Sequence, residues 1–352
     1  MKLGIEIDWQ RARFDVNRER LVLADELGYD IVFAAESNGS DALTPLGYAL
    51  AATERIGVGT RIAQNTARTP SALAMAFQTL RHMAGDERPI IAGLGSSNRV
   101  KTEAWHGVGW TSPYWRMRDY VAIMRKAFRG EPVTHEGRVL SVPYRGPGAL
   151  DDAEPLEPIL QTDPDIPIMF GGGTELMLRN AAEIADGLLP NGGWSPGMTS
   201  VYRPLIERGL ARRENPPAPE DFPIWAHVDV LVTDDVAAGI RGFKRYVARW
   251  CGGHPGPGGQ RELMTWRGFG EAADRIVELY RAGRVDEAEA AVPDEYIDRC
   301  WLIGSLPRIV ARWRAEWIDD GCNLIVRTDN WPGAVPAGNE VYAPLIRALR
   351  EA

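Results

Sequence analysis

The chain has 352 residues, 45% hydrophobic and 25% charged, a balance typical of soluble globular proteins. Its net charge of -8 speaks against a general nucleic-acid binder, which presents a basic face, and no apolar run approaches the length of a membrane span. The length allows two average domains or one large α/β barrel. Three cysteines, Cys251, Cys300 and Cys322, are odd in number and widely spaced. They fit neither a disulfide framework nor a zinc site, which points to reduced thiols and a cytoplasmic location. MKLGIEIDWQ enters a strand-like pattern directly, so no signal peptide is expected.

Short apolar runs predict eight strands, at Leu3–Ile7, Ile31–Ala35, Ile56–Ile62, Ile90–Leu94, Ile166–Phe170, Gly187–Leu189, Ile224–Val232 and Asn323–Val326. Several are apolar on both faces, as parallel strands covered by helices are. Helical patterns fill the gaps. Leu21, Ala24 and Leu27 share one side of the first, with Gly28 placed to cap it. Thr69-Pro70-Ser71 starts another, with proline suited to its first turn. In a later one Tyr120, Ile123, Met124, Ala127 and Phe128 form a single stripe. Eight such units predict an α/β fold of the (β/α)8 TIM-barrel type, one domain over residues 1–352, with insertions near 131–164 and 251–295. The first insertion contains a hairpin, Val133–Val142, turning at Glu136-Gly137. The second opens on the linker CGGHPGPGGQ and continues as helices.

In such a barrel the chemistry sits where strands end. The third strand runs out through Gly59-Thr60-Arg61-Ile62-Ala63-Gln64-Asn65, followed by Ala67-Arg68-Thr69-Pro70. The fourth ends in Gly93-Leu94-Gly95-Ser96-Ser97-Asn98-Arg99. The series ATERIGVGT, ARTP, AMAFQTL, GLGSS and EAWHG resembles the bacterial luciferase-like superfamily, and within it the branch that uses the deazaflavin coenzyme F420. AESNGSDALTPLGYALAATER precedes that series, and IPIMFGGGTELMLRNAAEIADGLLPNG follows it in the expected order. VPDEYIDRCWLIGSLPRIVARW is similar to the family's last helical segment.

The resemblance implies a deazaflavin or flavin ring across the C-terminal mouth, above a non-prolyl cis peptide near Arg61-Ile62-Ala63. It makes Glu36, Arg61, Ile62, Ala63, Gln64, Ser96, Ser97, Gly171, Gly172, Gly173 and Thr174 the expected cofactor contacts. The physical reading of Gly171–Thr174 agrees: glycines let backbone approach a phosphate, and a helix N-terminus offers free N–H groups. Most glycine runs are simple turns, however, and Arg99 and Lys101 read equally as solvated surface. Among five histidines, His106 in Glu103-Ala104-Trp105-His106-Gly107 is the expected proton donor, since histidine exchanges protons near neutral pH. Asn98 and Glu36 are expected to assist. The sugar-phosphate dehydrogenases of the branch carry a glutamate where Asn98 stands and a histidine where Ser37 stands, so glucose-6-phosphate is not the expected substrate. With 12 tryptophans, Trp9, Trp105, Trp110 and Trp194 are candidates for substrate walls, or for core packing.

These features predict an oxidoreductase transferring hydride between coenzyme F420 and a bulky small-molecule substrate. A luciferase-like monooxygenase using reduced FMN and oxygen is the alternative, and a non-catalytic flavin-binding protein the third reading. No metal, nucleic acid or membrane partner is expected, and the resemblance implies a homodimer.

Overall fold

The computed structural model describes residues 1–7, 14–253, 258–318, 320–328 and 338–352. Asp8, Trp9, His254 and Trp331 lie outside these residues. The chain divides into two compact units, one of Glu6–Gly171 with Asn180–Leu189, the other of Met1–Ile5, Gly172–Arg179 and Pro190–Ala352. Among the described residues the strands are β1 Leu3–Glu6, β2 Ile31–Ala34, β3 Gly57–Thr60, β4 Ala63–Gln64, β5 Ile90–Gly95, β6 His135–Glu136, β7 Ser141–Val142, β8 Ile168–Gly172, β9 Gly187–Pro190, β10 Trp225–Val232, β11 Leu302–Gly304 and β12 Asn323–Arg327. Each of the eight predicted strands is present. β4 and β11 are additional, and β6 and β7 form the predicted hairpin.

In the first unit the strand order is β2-β3-β5-β8-β9, with β4 also on β5. The registered pairs are parallel: Val32↔Val58, Val58↔Ile90 and Ala92↔Ile168 among them. Parallel strands covered on both faces bury nearly every side chain, as β2, β3 and β5 do throughout. The helix Arg18–Glu26 ends where Gly28 takes φ 75, and Thr69 caps the helix Pro70–Ala84 with Pro70 in its first turn. Asp25, at the end of the first of these helices, accepts from the N–H groups of Glu54, Arg55 and Ile56 at 2.9, 2.9 and 2.6 Å. That one carboxylate therefore sets the entry into β3. Burial opposes its charge, but the three N–H donors outweigh it and hold the carboxyl below its ordinary pKa.

The hairpin β6-β7 pairs His135 with Val142, and its turn closes from Gly137 N–H to Leu140 C=O at 3.0 Å. Asp119, on the helix Pro113–Phe128, reaches into that turn. It accepts from Val139 N at 2.7 Å, Leu140 N at 3.0 Å and His135 Nε2 at 3.1 Å. Val133, Val142 and Leu156 of this insertion line an apolar pocket of about 360 Å³ with Met75 and Ala127. Burial pushes the Asp119 carboxyl up, and the donors from Leu140, His135 and Val139 more than offset that, leaving it below the usual range. A depressed carboxyl contributes stability that is complete above its unfolded pKa and lost as pH falls through its folded value. Asp119→Asn is therefore expected to cost about 1–3 kcal/mol at pH 7. By urea denaturation, that gap should narrow as the pH is lowered below about 4. An equal cost at both pH values would show that the charge is not what holds the hairpin.

In the second unit the order is β11-β10-β12-β1, all parallel. β12 pairs with the first part of β10 (Trp225↔Asn323) and β11 with its end (Val230↔Leu302). The segment expected to be a single helical stretch is thus interrupted. Helix Asp294–Cys300 stops at Trp301, whose φ of -128 and ψ of 144 are extended, and Leu306–Arg312 starts again beyond β11. The second insertion is helical as expected, with helices Gln260–Trp266, Gly270–Arg281 and Val285–Ala290 before Asp294–Cys300. They pack on the helix Val236–Gly253 around Phe243, Val247, Cys251, Ile276, Tyr296 and Trp301.

Candidate active site

The site begins where β3 ends. Arg61 N–H donates to Ala34 C=O at 2.7 Å, which keeps the chain on β2. The next peptide, Arg61–Ile62, is cis, within the tripeptide that the family resemblance singled out. Beyond it the chain changes partner: Ala63 and Gln64 pair with Leu94 and Gly95 of β5, and Asn65 N–H donates to Gly95 C=O at 3.0 Å. The Ile62 side chain fills the space this creates. A Cβ at Gly95 would lie 2.7 Å from Ile62 Cδ1, and one at Gly171 would lie 2.7 Å from Ile62 Cγ2. Gly171 therefore makes room for a side chain. The Arg61 side chain turns inward and pairs with Glu6 at 3.1 Å.

Glu36, just past β2 and buried, ties these pieces together. Its N–H donates to Ile62 C=O at 3.2 Å. Its Oε2 accepts from Gln64 N–H at 3.0 Å, and its Oε1 accepts from the Arg68 guanidinium. A buried carboxylate needs such pairing, because an unpaired charge there is costly. Its backbone carbonyl accepts from Gln64 Nε2 at 2.7 Å. Both carboxylate oxygens are thus occupied inside the protein. The other end of the Gln64 amide, Oε1, lies 2.8 Å from His106 Nε2. Strand ends β2, β4 and the segment after β5 are joined through Glu36, Gln64 and His106.

Past β5 lie Ser96 and Ser97, both half-buried, with Ser97 at φ 58. Asn98 acts as a helix cap: its Oδ1 accepts from Lys101 N–H at 3.0 Å, the bond an N-cap asparagine makes. The turn widens to a π-helix at Lys101–Trp105, closed by His106 N–H on Lys101 C=O at 3.1 Å; such wide turns recur at functional sites. Lys101 Nζ donates to Ser37 Oγ, and burial lowers its pKa. Trp105 is 61% exposed, and Trp110 is half-buried. Arg99 and Glu103 form an exposed pair.

Three residues of this cluster were not singled out as site residues from sequence. Arg68 stood in the ARTP motif, but nothing in spacing says that it meets Glu36. Lys101 was noted only for its charge. Asn65 is buried, and neither Oδ1 nor Nδ2 of its amide has a partner among the described residues.

In the second unit, Thr174 caps the helix Glu175–Ile184, its Oγ1 accepting from Met177 N–H at 3.2 Å. A Cβ at Gly173 would lie 2.9 Å from Gly258 C=O and 3.3 Å from Asn191 Cβ. Gly172 C=O accepts from Asn191 N–H at 3.0 Å. Glu175 in the first turn is matched by Arg208 at 3.2 Å and Arg179 at 3.7 Å. Trp194 is buried in this unit's core, its ring centroid 5.1 Å from that of Tyr202 at a tilt of 45°, with its indole N–H donating to Asp320 at 2.6 Å. It packs the core here. Trp9 falls outside the described residues.

A family model described as luciferase-like monooxygenase matches residues 1–323. The chain belongs to the luciferase-like family. Over 335 residues it is 37% identical to a Mycobacterium tuberculosis protein whose name, coenzyme F420-dependent oxidoreductase, is itself provisional; the match covers 93% of this chain and 95% of that one. The structure of the coenzyme F420-dependent tetrahydromethanopterin reductase of Methanopyrus kandleri superposes with a TM-score of 0.74 at 20% identity, covering 98% of this chain and 97% of the other. An FMN complex of the oxygenating constituent of 3,6-diketocamphane monooxygenase from Pseudomonas putida gives 0.67 at 16% identity, with coverage of 100% and 97%. These likenesses bear out the expected luciferase-like (β/α)8 fold. They leave the role of each luciferase-like site residue to the geometry above.

Proposed function

We propose that the protein is a coenzyme F420-dependent oxidoreductase whose proton donor is His106. The observation that carries the reading is the placement of His106. It is half-buried beside the strand end that contains the Arg61–Ile62 cis peptide, and is held there by Gln64. Similarity to the F420-named relative over nearly the whole chain favours the deazaflavin as cofactor. Asn65 tests whether the residues fit such a ring. Its buried amide offers one donor and one acceptor with no partner of their own among the described residues. That pair is complementary to the carbonyl and N–H edge of a deazaflavin's pyrimidine ring, so the residues fit. Thr174, which caps the helix Glu175–Ile184 in the second unit, is a phosphate contact through the family resemblance alone.

When bound, the deazaflavin supplies a hydride-carrying carbon where a flavin has its central nitrogen. The chain's residues do the rest. Glu36 and Arg68 hold the loop of Gln64 in place, so Glu36 acts as support rather than as the donor. Asn98 orders the turn that presents His106. Trp105 offers an exposed aromatic face to an organic substrate. The homodimer belongs to this reading through the family resemblance alone, and the cytoplasmic location through the free cysteines Cys251, Cys300 and Cys322. No helix among the described residues is long and apolar enough to cross a membrane.

Titration with oxidised F420 and with FMN, side by side and followed by fluorescence, tests the cofactor. F420 is expected to bind at micromolar concentration or tighter, and FMN at least tenfold more weakly. Micromolar binding of FMN alone would replace this reading with the monooxygenase. Binding of neither would overturn both.

A further inference from the structure

We propose that Gln64 is a positioning residue: it keeps a proton on His106 Nε2 and so makes Nδ1 the atom through which His106 exchanges protons. The inference rests on the reading of His106 as the proton donor, but the tautomer follows from the hydrogen-bond network itself. Gln64 Nε2 lies 2.7 Å from the backbone oxygen of Glu36. A carbonyl oxygen only accepts, so this end of the amide must be the donating NH2. The other end, Oε1, is therefore an acceptor, and it faces His106 Nε2 at 2.8 Å. For that contact to be a hydrogen bond, His106 Nε2 must carry a hydrogen. In the neutral ring the lone pair then resides on Nδ1, for which no hydrogen bond is found among the described residues.

The support behind Gln64 explains why the amide does not turn round. Its backbone N–H is bound to Glu36 Oε2 at 3.0 Å, and the Glu36 carboxylate is matched by Arg68. Gln64 is 2% exposed, so flipping the amide would set its oxygen against the Glu36 carbonyl with no water to compensate. His106 is fixed from its own side by the bond from its N–H to Lys101 C=O at 3.1 Å, and Gly107 turns the chain away at φ 66. Both partners thus approach each other from held backbone. In the reducing direction the doubly protonated ring would give up its Nδ1 proton, the Nδ1–H bond breaking as a bond from hydrogen to a substrate atom forms and leaving the neutral Nε2–H ring; the deazaflavin, when bound, would supply the hydride. The Nε2–H bond stays intact throughout. In the opposite direction the Nδ1 lone pair takes the proton.

The tautomer can be read without cofactor or substrate. In protein labelled with 15N-histidine, long-range proton–nitrogen correlation spectra distinguish a protonated from an unprotonated ring nitrogen, and the His106 signals are those missing from His106→Asn. At a pH where the ring is neutral, the wild type is expected to show Nε2 fully protonated and Nδ1 bare. In Gln64→Met, of similar shape but without an acceptor, the two nitrogen shifts should move toward each other as both tautomers become populated. A thermal melt of each variant shows that it is folded. A wild-type spectrum with the proton on Nδ1 would overturn the proposal, as would a folded Gln64→Met with shifts identical to the wild type. Because no cofactor is present, failure of F420 to bind in the separate titration leaves this result untouched and removes only the cofactor reading.

Discussion

Gly93→Ala is expected to leave little folded protein. A Cβ at this position on β5 would lie 1.9 Å from Thr60 C=O and 2.5 Å from Leu189 Cδ1. The leucine can rotate. The carbonyl cannot, because it belongs to the backbone of the neighbouring strand β3, and the Thr60 hydroxyl is itself bound to Gly93 C=O at 2.6 Å. Overpacking a core usually costs about 1–3 kcal/mol, and a clash with immovable backbone belongs at or above the top of that range. Against a total stability of about 5–15 kcal/mol, urea unfolding should show the midpoint sharply lowered or no folded baseline at all. Gly242→Ala gives the contrast. It lies on the exposed face of the helix Val236–Gly253 with nothing near its Cβ position, and there alanine should stabilise by about 0.5–1 kcal/mol. If Gly93→Ala unfolds like the wild type, the approach of β3 to β5 is looser than described.

His106→Gln is expected to have the largest effect on turnover. The glutamine amide nitrogen can take the place of the imidazole Nε2 and donate to Gln64 Oε1, so the loop should keep its shape, but it cannot carry a proton to a reacting atom. Removing a positioned general acid typically lowers the rate about 10²–10⁴-fold. The measurement is reoxidation of reduced F420 by any organic acceptor that the wild type turns over, followed at the deazaflavin absorbance, with cofactor affinity determined in parallel. The expected result is a fall of that size in kcat with F420 affinity unchanged. A loss of less than tenfold would move the proton-transfer role to another group, with Lys101 the next cation in the loop.

The fold was largely legible because its signals are local. Buried parallel strands announce themselves as apolar runs, and the caps at Gly28 and Thr69-Pro70 follow from backbone chemistry that acts within a turn. β11 escaped because three residues, Leu302–Gly304, fit a helical pattern as well as a strand. Only its pairing with the end of β10 makes it a strand, and that partner lies some seventy positions earlier. The site was legible in its parts and illegible in its wiring. Glu36 and Gln64 were named from the resemblance and His106 from the proton chemistry of histidine, yet no spacing says that a glutamate after β2 binds an arginine after β4, or that the glutamine between them holds a histidine after β5. For the same reason Trp194 read as a pocket wall: an indole that packs a core and one that lines a pocket look identical until Asp320 is found beneath the N–H. In the glycine run, Gly171 leaves room for the bulk of Ile62, a contact that no spacing announces.

The division between Glu36 and Trp105 carries a consequence for how such a protein changes over time. His106 is held by Gln64, whose backbone N–H is bound by the buried Glu36 carboxylate, so a substitution at Glu36 or Gln64 disturbs the ends of β2 and β4 and the segment after β5 together. Trp105 and Val100, at 61% and 69% exposure, sit on the same short turn as His106 but outside that clamp. Under the proposed role of His106, substitutions at those two positions are expected to alter what the protein accepts before they alter proton transfer.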